Sequence, residues 1–268
     1  MAQRNNHQQA KWYIKNRATL SDEQIADAMT YKWFRLNTIY YFKDDKGKKL
    51  RFSANPEQEK LYLERHSRSL ILKARQLGFT TFQMLYDLDS CLFSSDYSAG
   101  CICHNLDSAK DIYRNKVKYA YQNITDDIRY LLSAIGYSLP LPVSDKDNSY
   151  VFSNGSSIKV STSYRGGTLQ SLHISEFGKI CKKYPEKARE IVTGAFEAVA
   201  STGKITIEST AEGRDGYFHD YSDRAKKDTE SGNELSPLDF KFHFFPWWKK
   251  ATYSIEGRVS STLVGYFE

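Results

Sequence analysis

Leu70-Ile71-Leu72 runs into Lys73-Ala74-Arg75-Gln76-Leu77-Gly78-Phe79-Thr80-Thr81, a short apolar strand followed by a basic turn with one glycine and a helix start. This stretch decides the fold class. The turn between a strand and the helix after it is where an α/β protein receives an anion. Free backbone N–H groups point out of the helix end, a cation neutralises the ligand, and a hydroxyl can take Mg²⁺. Here Gly78 supplies a permissive backbone, Thr80 the hydroxyl, and Lys73 and Arg75 the charge. Against the usual G-x-x-x-x-G-K-[ST] pattern, Lys73 stands where the first glycine belongs and Phe79 where the lysine belongs. A lysine at the front of the loop can swing its amine back to the same phosphates, and either Lys73 or Arg75 can be the main cation. Taken alone, the loop reads equally well as an ordinary strand-to-helix turn.

Working outward, the pattern of strand, turn and helix repeats. A helix over 79–94 is followed by a strand at 99–104 and a helix over 107–122. Further on come a strand at 172–175, a helix over 184–201, and strands at 204–208 and 240–245. This alternation predicts a mainly parallel sheet flanked by helices. A polar hairpin interrupts the series, with Tyr150-Val151-Phe152, the turn Asn154-Gly155 and the return Ile158-Lys159-Val160. Upstream, Ser21-Asp22-Glu23-Gln24 has the spacing of a capping box and opens a helix through Phe34. A hairpin follows over 38–52, and Asn55-Pro56 caps a helix over 56–66. The expected organisation is a basic helical and hairpin segment at 1–54, one α/β domain at 55–250, and a linker at 251–268.

The 268 residues, 40% of them hydrophobic, are enough for one main core, and no apolar run is long enough to span a bilayer. The N-terminal MAQRNNHQQAKWYIKNR lacks the apolar region of a secretory signal, which predicts a cytoplasmic protein. Charge is uneven: residues 1–82 hold 16 Lys+Arg against 8 Asp+Glu, and residues 83–268 hold 22 against 24. The basic front also carries Trp12, Trp33, Phe34, Tyr40 and Tyr41, a combination that can meet a nucleic-acid backbone. Cys101-x-Cys103-His104 lacks the second ligand pair that a zinc site needs and reads as part of an apolar strand.

Two more strand ends carry chemistry. Ser171-Leu172-His173-Ile174-Ser175-Glu176 is an apolar strand that ends in a carboxylate able to polarise water. Ser175 stands where an aspartate for the metal shell is expected and brings no charge, and His173 reads as a packed core histidine. Ile205-Thr206-Ile207-Glu208 is a second apolar strand, running into Ser209-Thr210-Ala211-Glu212-Gly213.

In their order and spacing these segments resemble the ATPase domain of the large terminase subunit of tailed bacteriophages, the motor that drives DNA into procapsids. The loop 73–81 resembles the variant Walker A in which the lysine has moved to the front. SEFG at 175–178 resembles the Walker B motif with Ser for Asp, and STAEG at 209–213 resembles the coupling motif. Pro56-Glu57-Gln58 looks like an adenine-reading Q motif, and Phe245-Pro246-Trp247-Trp248 like the segment closing the domain. The resemblance covers residues 55–250. It implies a P-loop NTPase of the ASCE type that binds ATP and Mg²⁺. The implied ATP-binding residues are Gln58, Lys73, Arg75, Gln76, Gly78, Phe79, Thr80 and Thr81. Mg²⁺ would fall to Thr80 and, through water, to Ser175 and Glu176. Glu176 would position or deprotonate water, and Ser209 and Thr210 would couple phosphate loss to DNA movement.

Ser163-Tyr164-Arg165-Gly166-Gly167 places Arg165 eleven positions before Glu176, where terminases carry an Arg-Gly pair. By resemblance Arg165 completes a neighbouring subunit's site; the plain alternative is an arginine anchoring the glycine turn. The implied partners are double-stranded DNA, the portal protein, the small terminase subunit and further copies in a homo-oligomeric ring of five, with no membrane. The implied place is the host cytoplasm, transiently at the procapsid portal vertex. The family's nuclease domain finds no room in this sequence, so DNA cutting is not expected. The competing functions are a helicase-like nucleic-acid ATPase and a nucleotide-dead DNA-binding or assembly module.

Overall fold

Leu70 and Ile71 face opposite ways in the computed structural model, each into its own apolar layer, as neighbours on a strand covered on both faces must. The structure describes residues 2–44, 46–250 and 253, so the expected linker 251–268 lies outside the described residues except for Tyr253.

The chain begins with helices α1 (Ala2–Asn16), α2 (Asp22–Thr30) and α3 (Lys32–Thr38), followed by a small antiparallel hairpin of β1 (Tyr41–Lys43) and β2 (Lys49–Arg51). Helix α4 (Pro56–Glu64) leads to β3 (Arg68–Lys73), α5 (Phe79–Phe93), β4 (Ser98–Ile102) and α6 (Leu106–Ile112). A π-helical turn, Tyr113–Lys118, joins α6 to α7 (Tyr119–Gln122), and α8 (Asp126–Ala134) follows. Then come β5 (Pro142–Lys146), β6 (Ser149–Phe152), β7 (Ser157–Ser161), β8 (Leu169–Ser175), α9 (Phe177–Lys183) and α10 (Pro185–Glu190). The last elements are β9 (Val199–Ser209), α11 (Gly216–Glu230) and β10 (Phe240–Phe245).

Eight strands form one sheet in the order β10-β3-β9-β8-β4-β7-β6-β5. The six from β10 to β7 are parallel, and β6 and β5 are antiparallel additions at one edge. The expected α/β class and parallel sheet are therefore present. Strand β9 lies between the strand that enters the basic loop and the strand that leads to Glu176, the order expected of an ASCE-type sheet.

Four local expectations change. The hairpin at 150–160 does not interrupt the sheet but extends it, because β7 pairs in parallel with β4. The helix expected at 184–201 ends much earlier. α10 passes into a π turn at Ile191–Ala195, and Val199 already pairs with Leu169 as the start of β9. β-branched Val199 and Thr202, with Gly203 beyond them, favour the extended chain there. The helix from Ser21 breaks at Tyr31, whose extended backbone (φ −86°, ψ 114°) separates α2 from α3. Of the five aromatic residues named in the basic front, Trp33, Phe34 and Tyr40 are buried, Tyr41 is half-buried and Trp12 is 47% exposed. The aromatic set proposed for nucleic acid is instead mostly core.

That burial has a cause in α5, which is covered almost all round. Phe82, Leu85 and Leu88 belong to the same apolar layer as Trp33, Phe34 and Leu36 of α3, and each buried side chain of this size contributes about 1.5–3 kcal/mol. Asp89 of α5 would be intolerable in this layer without partners. Arg35 donates to it through Nε (3.0 Å) and Nη2 (2.8 Å), and the Tyr40 hydroxyl donates at 2.9 Å. Arg35 Nη1 also caps the end of α2 by donating to the Met29 (2.7 Å) and Thr30 (3.1 Å) carbonyls. The break at Tyr31 and the docking of the N-terminal helices on α5 thus share one guanidinium. Asp89→Ala leaves that buried cation without its carboxylate and is expected to cost about 3–5 kcal/mol, read as a lowered urea midpoint. A loss below about 1 kcal/mol would show that water replaces the carboxylate.

Candidate functional site

The carboxyl ends of three neighbouring parallel strands meet at one point. Register places Leu72 of β3 beside Ser209 of β9, and Ser175 of β8 beside Glu208 of β9. Strand β3 therefore delivers Lys73 to the same level as both carboxylates, Glu176 and Glu208.

The loop after β3 is held from below and from the side. The Ala74 N–H donates to the Phe245 carbonyl at 2.9 Å, continuing the β3–β10 ladder by one residue. Helix α4 then grips the loop with its own cap. Asn55 and Gln58 form a capping box, and their side-chain amides donate to the Leu77 carbonyl at 3.1 and 3.3 Å. Gln58 Nε2 also donates to the Gly78 carbonyl at 3.0 Å. Both of its amide hydrogens thus face the loop, and its Oε1 accepts from the Asn55 N–H at 3.1 Å. In this arrangement the residue matched to an adenine-reading motif positions the loop backbone.

Gly78 has a left-handed backbone (φ 70°), which favours glycine, and a Cβ on it would stand 2.8 Å from Gln58 Nε2, so the end of that side chain would have to shift. Leu77 and Phe79 are buried on either side of Gly78, with the Phe79 ring centroid 4.7 Å from that of Phe245. Among the residues expected to bind ATP, Phe79 and Gln58 are both buried, Phe79 in the core and Gln58 against the loop backbone. Phe79 anchors the loop in the core and leaves only its backbone N–H for a ligand. Arg75 and Gln76 are exposed, Thr80 and Thr81 half-buried. The Gln76 carbonyl accepts from Lys250 at 3.1 Å and the Arg75 carbonyl from the Tyr253 hydroxyl.

Lys73 sits inside the site. Its ammonium lies 3.1 Å from Glu176 Oε1 and 3.7 Å from Glu208 Oε2, with little of its side chain exposed. Burial disfavours its charge, but Glu208 and Glu176 outweigh that and hold its pKa above the ordinary lysine value. Glu176 has a left-handed backbone too (φ 56°), unusual for a residue with a side chain and costing about 1–3 kcal/mol. That conformation caps α9 and turns a partly exposed carboxylate toward Lys73.

Glu208 is the residue that sequence reasoning did not select. It is 1% exposed at the end of β9, where it accepts from the Thr80 hydroxyl and from Ser175 Oγ (3.3 Å), with His173 Nε2 3.3 Å away. Burial disfavours its ionisation, yet His173, Lys73 and Thr80 together hold its carboxyl down to about 2. The available signal was an acid within the apolar run Ile205-Thr206-Ile207-Glu208, since a buried carboxylate is rarely retained without a partner. His173 is wholly buried, as expected, and its other face meets Cys101 Sγ at 3.4 Å.

Ser209 and Thr210 are set differently from one another. Ser209 Oγ accepts the Gly178 N–H at 3.0 Å, tying the end of β9 to the turn after Glu176. A Cβ on Gly178 would lie 2.9 Å from that oxygen, which explains the glycine. Thr210 leans toward Glu212 at 3.5 Å. Arg165 stands apart from the cluster in the exposed link between β7 and β8, where its Nε donates to Glu190 at 2.8 Å. Beyond Glu176 opens a cleft of about 510 Å³, floored by Thr80, Ser175 and Glu176 and walled by His104, Asp107 and Lys116. Among the described residues, no group of three or more His, Cys, Asp or Glu side chains is arranged to hold a metal ion unaided. No helix among them is long and apolar enough to cross a membrane.

No protein-family model and no curated protein matches this sequence. Among solved structures, the crystal structure of the HK97 bacteriophage large terminase is similar with a TM-score of 0.53 and 14% identity, over 78% of this chain and 42% of that one. The large terminase ATPase domain of Thermus phage P74-26 aligns with a TM-score of 0.49 and 12% identity, over 74% of this chain and 83% of that one. The large terminase of a further, thermophilic bacteriophage gives a TM-score of 0.43 and 10% identity, over 72% of this chain and 46% of that one. This chain thus spans less than half the length of the HK97 protein, and at such identities the likeness concerns the fold. The chain shares the α/β architecture of the HK97 large terminase, a mainly parallel sheet between helices.

Proposed function

We propose that this chain is an Mg²⁺-dependent ATP hydrolase acting as the ATPase domain of a phage large terminase, which turns ATP hydrolysis into translocation of double-stranded DNA into a procapsid. The observation that carries the reading is Lys73, a buried ammonium between Glu176 and Glu208 at the foot of a clamped, glycine-bearing loop. A cation so placed is kept charged by the two carboxylates and is set to meet the phosphates of a nucleotide lying over the helix end. The lysine displaced to the front of the loop thus keeps the function of the usual one, while Phe79 in the usual place serves the core. Gly78, Thr80 and Thr81 offer the free N–H groups at the start of α5, and exposed Arg75 and Gln76 form the outer lip.

When Lys73 turns to the phosphates, Glu176 is released at the mouth of the cleft. Its carboxylate can then orient a water molecule and accept its proton. Bound Mg²⁺ would neutralise charge on the phosphates, and the residues fit it: a half-buried hydroxyl at Thr80, a second at Ser175, and carboxylate oxygens beside them. An ion that takes most of its ligands from phosphates and water does not need a protein cage, in keeping with the small donor set. Ser209, bonded to the backbone just after Glu176, is suited to carry a change at the phosphates into β9.

Arg165 is exposed and held by one screened ion pair, so it is free to enter the site of an adjacent copy. This supports the reading in which a guanidinium completes the site only when subunits meet; a ring of five on the portal protein is part of the same proposal. Double-stranded DNA and the small terminase subunit belong to the same proposal, as does action in the host cytoplasm at the portal vertex.

Steady-state hydrolysis of Mg-ATP over a protein concentration series tests this function. Turnover per chain is expected to rise with concentration; a flat profile would remove the contribution in trans. Glu176→Gln should lower turnover about 10²- to 10⁴-fold while nucleotide binding persists. Arg165→Ala should lower it about 10³-fold, again without loss of binding. Lys73→Ala should abolish Mg-ATP binding, and retained binding would point to Arg75 as the main cation. Separately, Gly78→Ala forces both φ and the contact with Gln58, so it should cost more than about 1 kcal/mol in stability and weaken nucleotide binding. A variant as stable and as tight as the parent would show that the loop adapts.

A further inference from the structure

The acid that should follow the apolar stretch of β8 is missing: Ser175 stands at its end with no charge to offer a cation. One strand away, in register with Ser175, stands Glu208. Its two oxygens are in different situations. Oε1 takes the Thr80 hydroxyl and Ser175 Oγ and lies 3.3 Å from His173 Nε2. Among the described residues Oε2 has no hydrogen-bond partner although it is buried, and Lys73 Nζ is 3.7 Å from it. A buried carboxylate oxygen left without a donor costs about 1–3 kcal/mol or more, and such an exception calls for an explanation such as an ion.

The hydroxyl that Glu208 engages is the one a nucleotide-bound Mg²⁺ would use, and the lysine beside it is the one the phosphates would draw away. Once that happens, Oε2 loses its nearest cation while remaining charged and enclosed. A divalent cation beside Thr80 replaces that positive charge in the same place.

We propose that Glu208 is the cation-holding carboxylate of this site, taking from the neighbouring strand the role left vacant at Ser175 and sharing the divalent cation with Thr80. The inference rests on the ATP-hydrolase reading above and goes beyond it by assigning the charge that makes that reading chemically complete. The two departures from the usual motifs then match. The lysine has moved along its own loop, the acid has moved across one strand, and the net charge around the phosphates is kept.

Titration of a fluorescent ATP analogue into the whole chain, once with excess Mg²⁺ and once with EDTA, tests the assignment. The parent chain should bind more tightly with Mg²⁺. In Glu208→Gln, the ratio of affinity in Mg²⁺ to affinity in EDTA should fall about tenfold or more, toward one. The double variant Glu208→Gln/Ser175→Asp should regain most of the Mg²⁺ effect, and Glu234→Gln, which removes an exposed carboxylate away from the cluster, should leave it unchanged. Melting curves establish that each variant is folded, and if Glu208→Gln alone does not fold, the double variant takes its place. A folded Glu208→Gln, or a folded double variant standing in for it, has one overturning result each: the first keeping the full Mg²⁺ effect, the second showing none. If the parent chain itself binds no nucleotide, the ATP-hydrolase reading fails and this inference fails with it.

Discussion

Lys73 is the charge on which the arrangement of strand ends depends. Three strands that come from distant parts of the chain finish at one level because their parallel register aligns Leu72 with Ser209 and Ser175 with Glu208. That register brings two carboxylates together. Like charges at such separations repel by several kcal/mol at the effective dielectric of a protein, and burial adds a desolvation penalty. The ammonium of Lys73 between them removes both objections, and in turn the carboxylates keep the lysine charged in a place that would otherwise strip its proton. The three groups are stable only together, so a ligand that withdraws the lysine must change the state of the other two.

The loop above this triad is rigid for reasons that lie outside it. Helix α4 uses its own N-terminal cap, Asn55 and Gln58, to hold the Leu77 and Gly78 carbonyls. The hydrophobic residues on both sides of Gly78 are sunk in the core, and β10 carries the loop's first N–H. A loop fixed on three sides presents its N–H groups without first losing conformational freedom, which is the physical basis of preorganised anion binding. The N-terminal helices belong to the same support. They cover the outer side of α5 and satisfy Asp89, so the helix is enclosed from Phe82 to Leu92 while Thr80 and Thr81 of its first turn stay half-buried at the site.

Several of these features are legible in the amino-acid sequence alone. The apolar run ending in Lys73, the glycine at 78 and the hydroxyl at 80 mark the site, and the alternation of strand and helix marks the parallel sheet. The capping boxes at Ser21 and Asn55 are equally plain, because caps are local hydrogen bonds between residues three apart. Helix α11 and strand β5 leave no such trace. The former carries few apolar residues in a mostly polar stretch and the latter lies at an exposed edge, so the apolar signal on which such reading relies is sparse in both. The helix expected at 184–201 stops short because the pairing of Val199 with Leu169 is a contact between distant residues, and no local propensity reports it.

What the sequence determined by itself was everything that depends on neighbours along the chain: strand and helix periods, caps, the turn at Gly78, and the kinds of side chain available to a phosphate. What only the tertiary structure decided was which of those side chains share a volume. Glu208 and Ser175 are 33 residues apart in sequence, yet they are adjacent because two strands pair in parallel. Phe79 faces the core because Phe245 is waiting there, and Arg165 stays outside the cluster because its link carries it to Glu190. Charges and hydroxyls act through space with a range of a few ångströms, and only the sheet's register brings these groups within it.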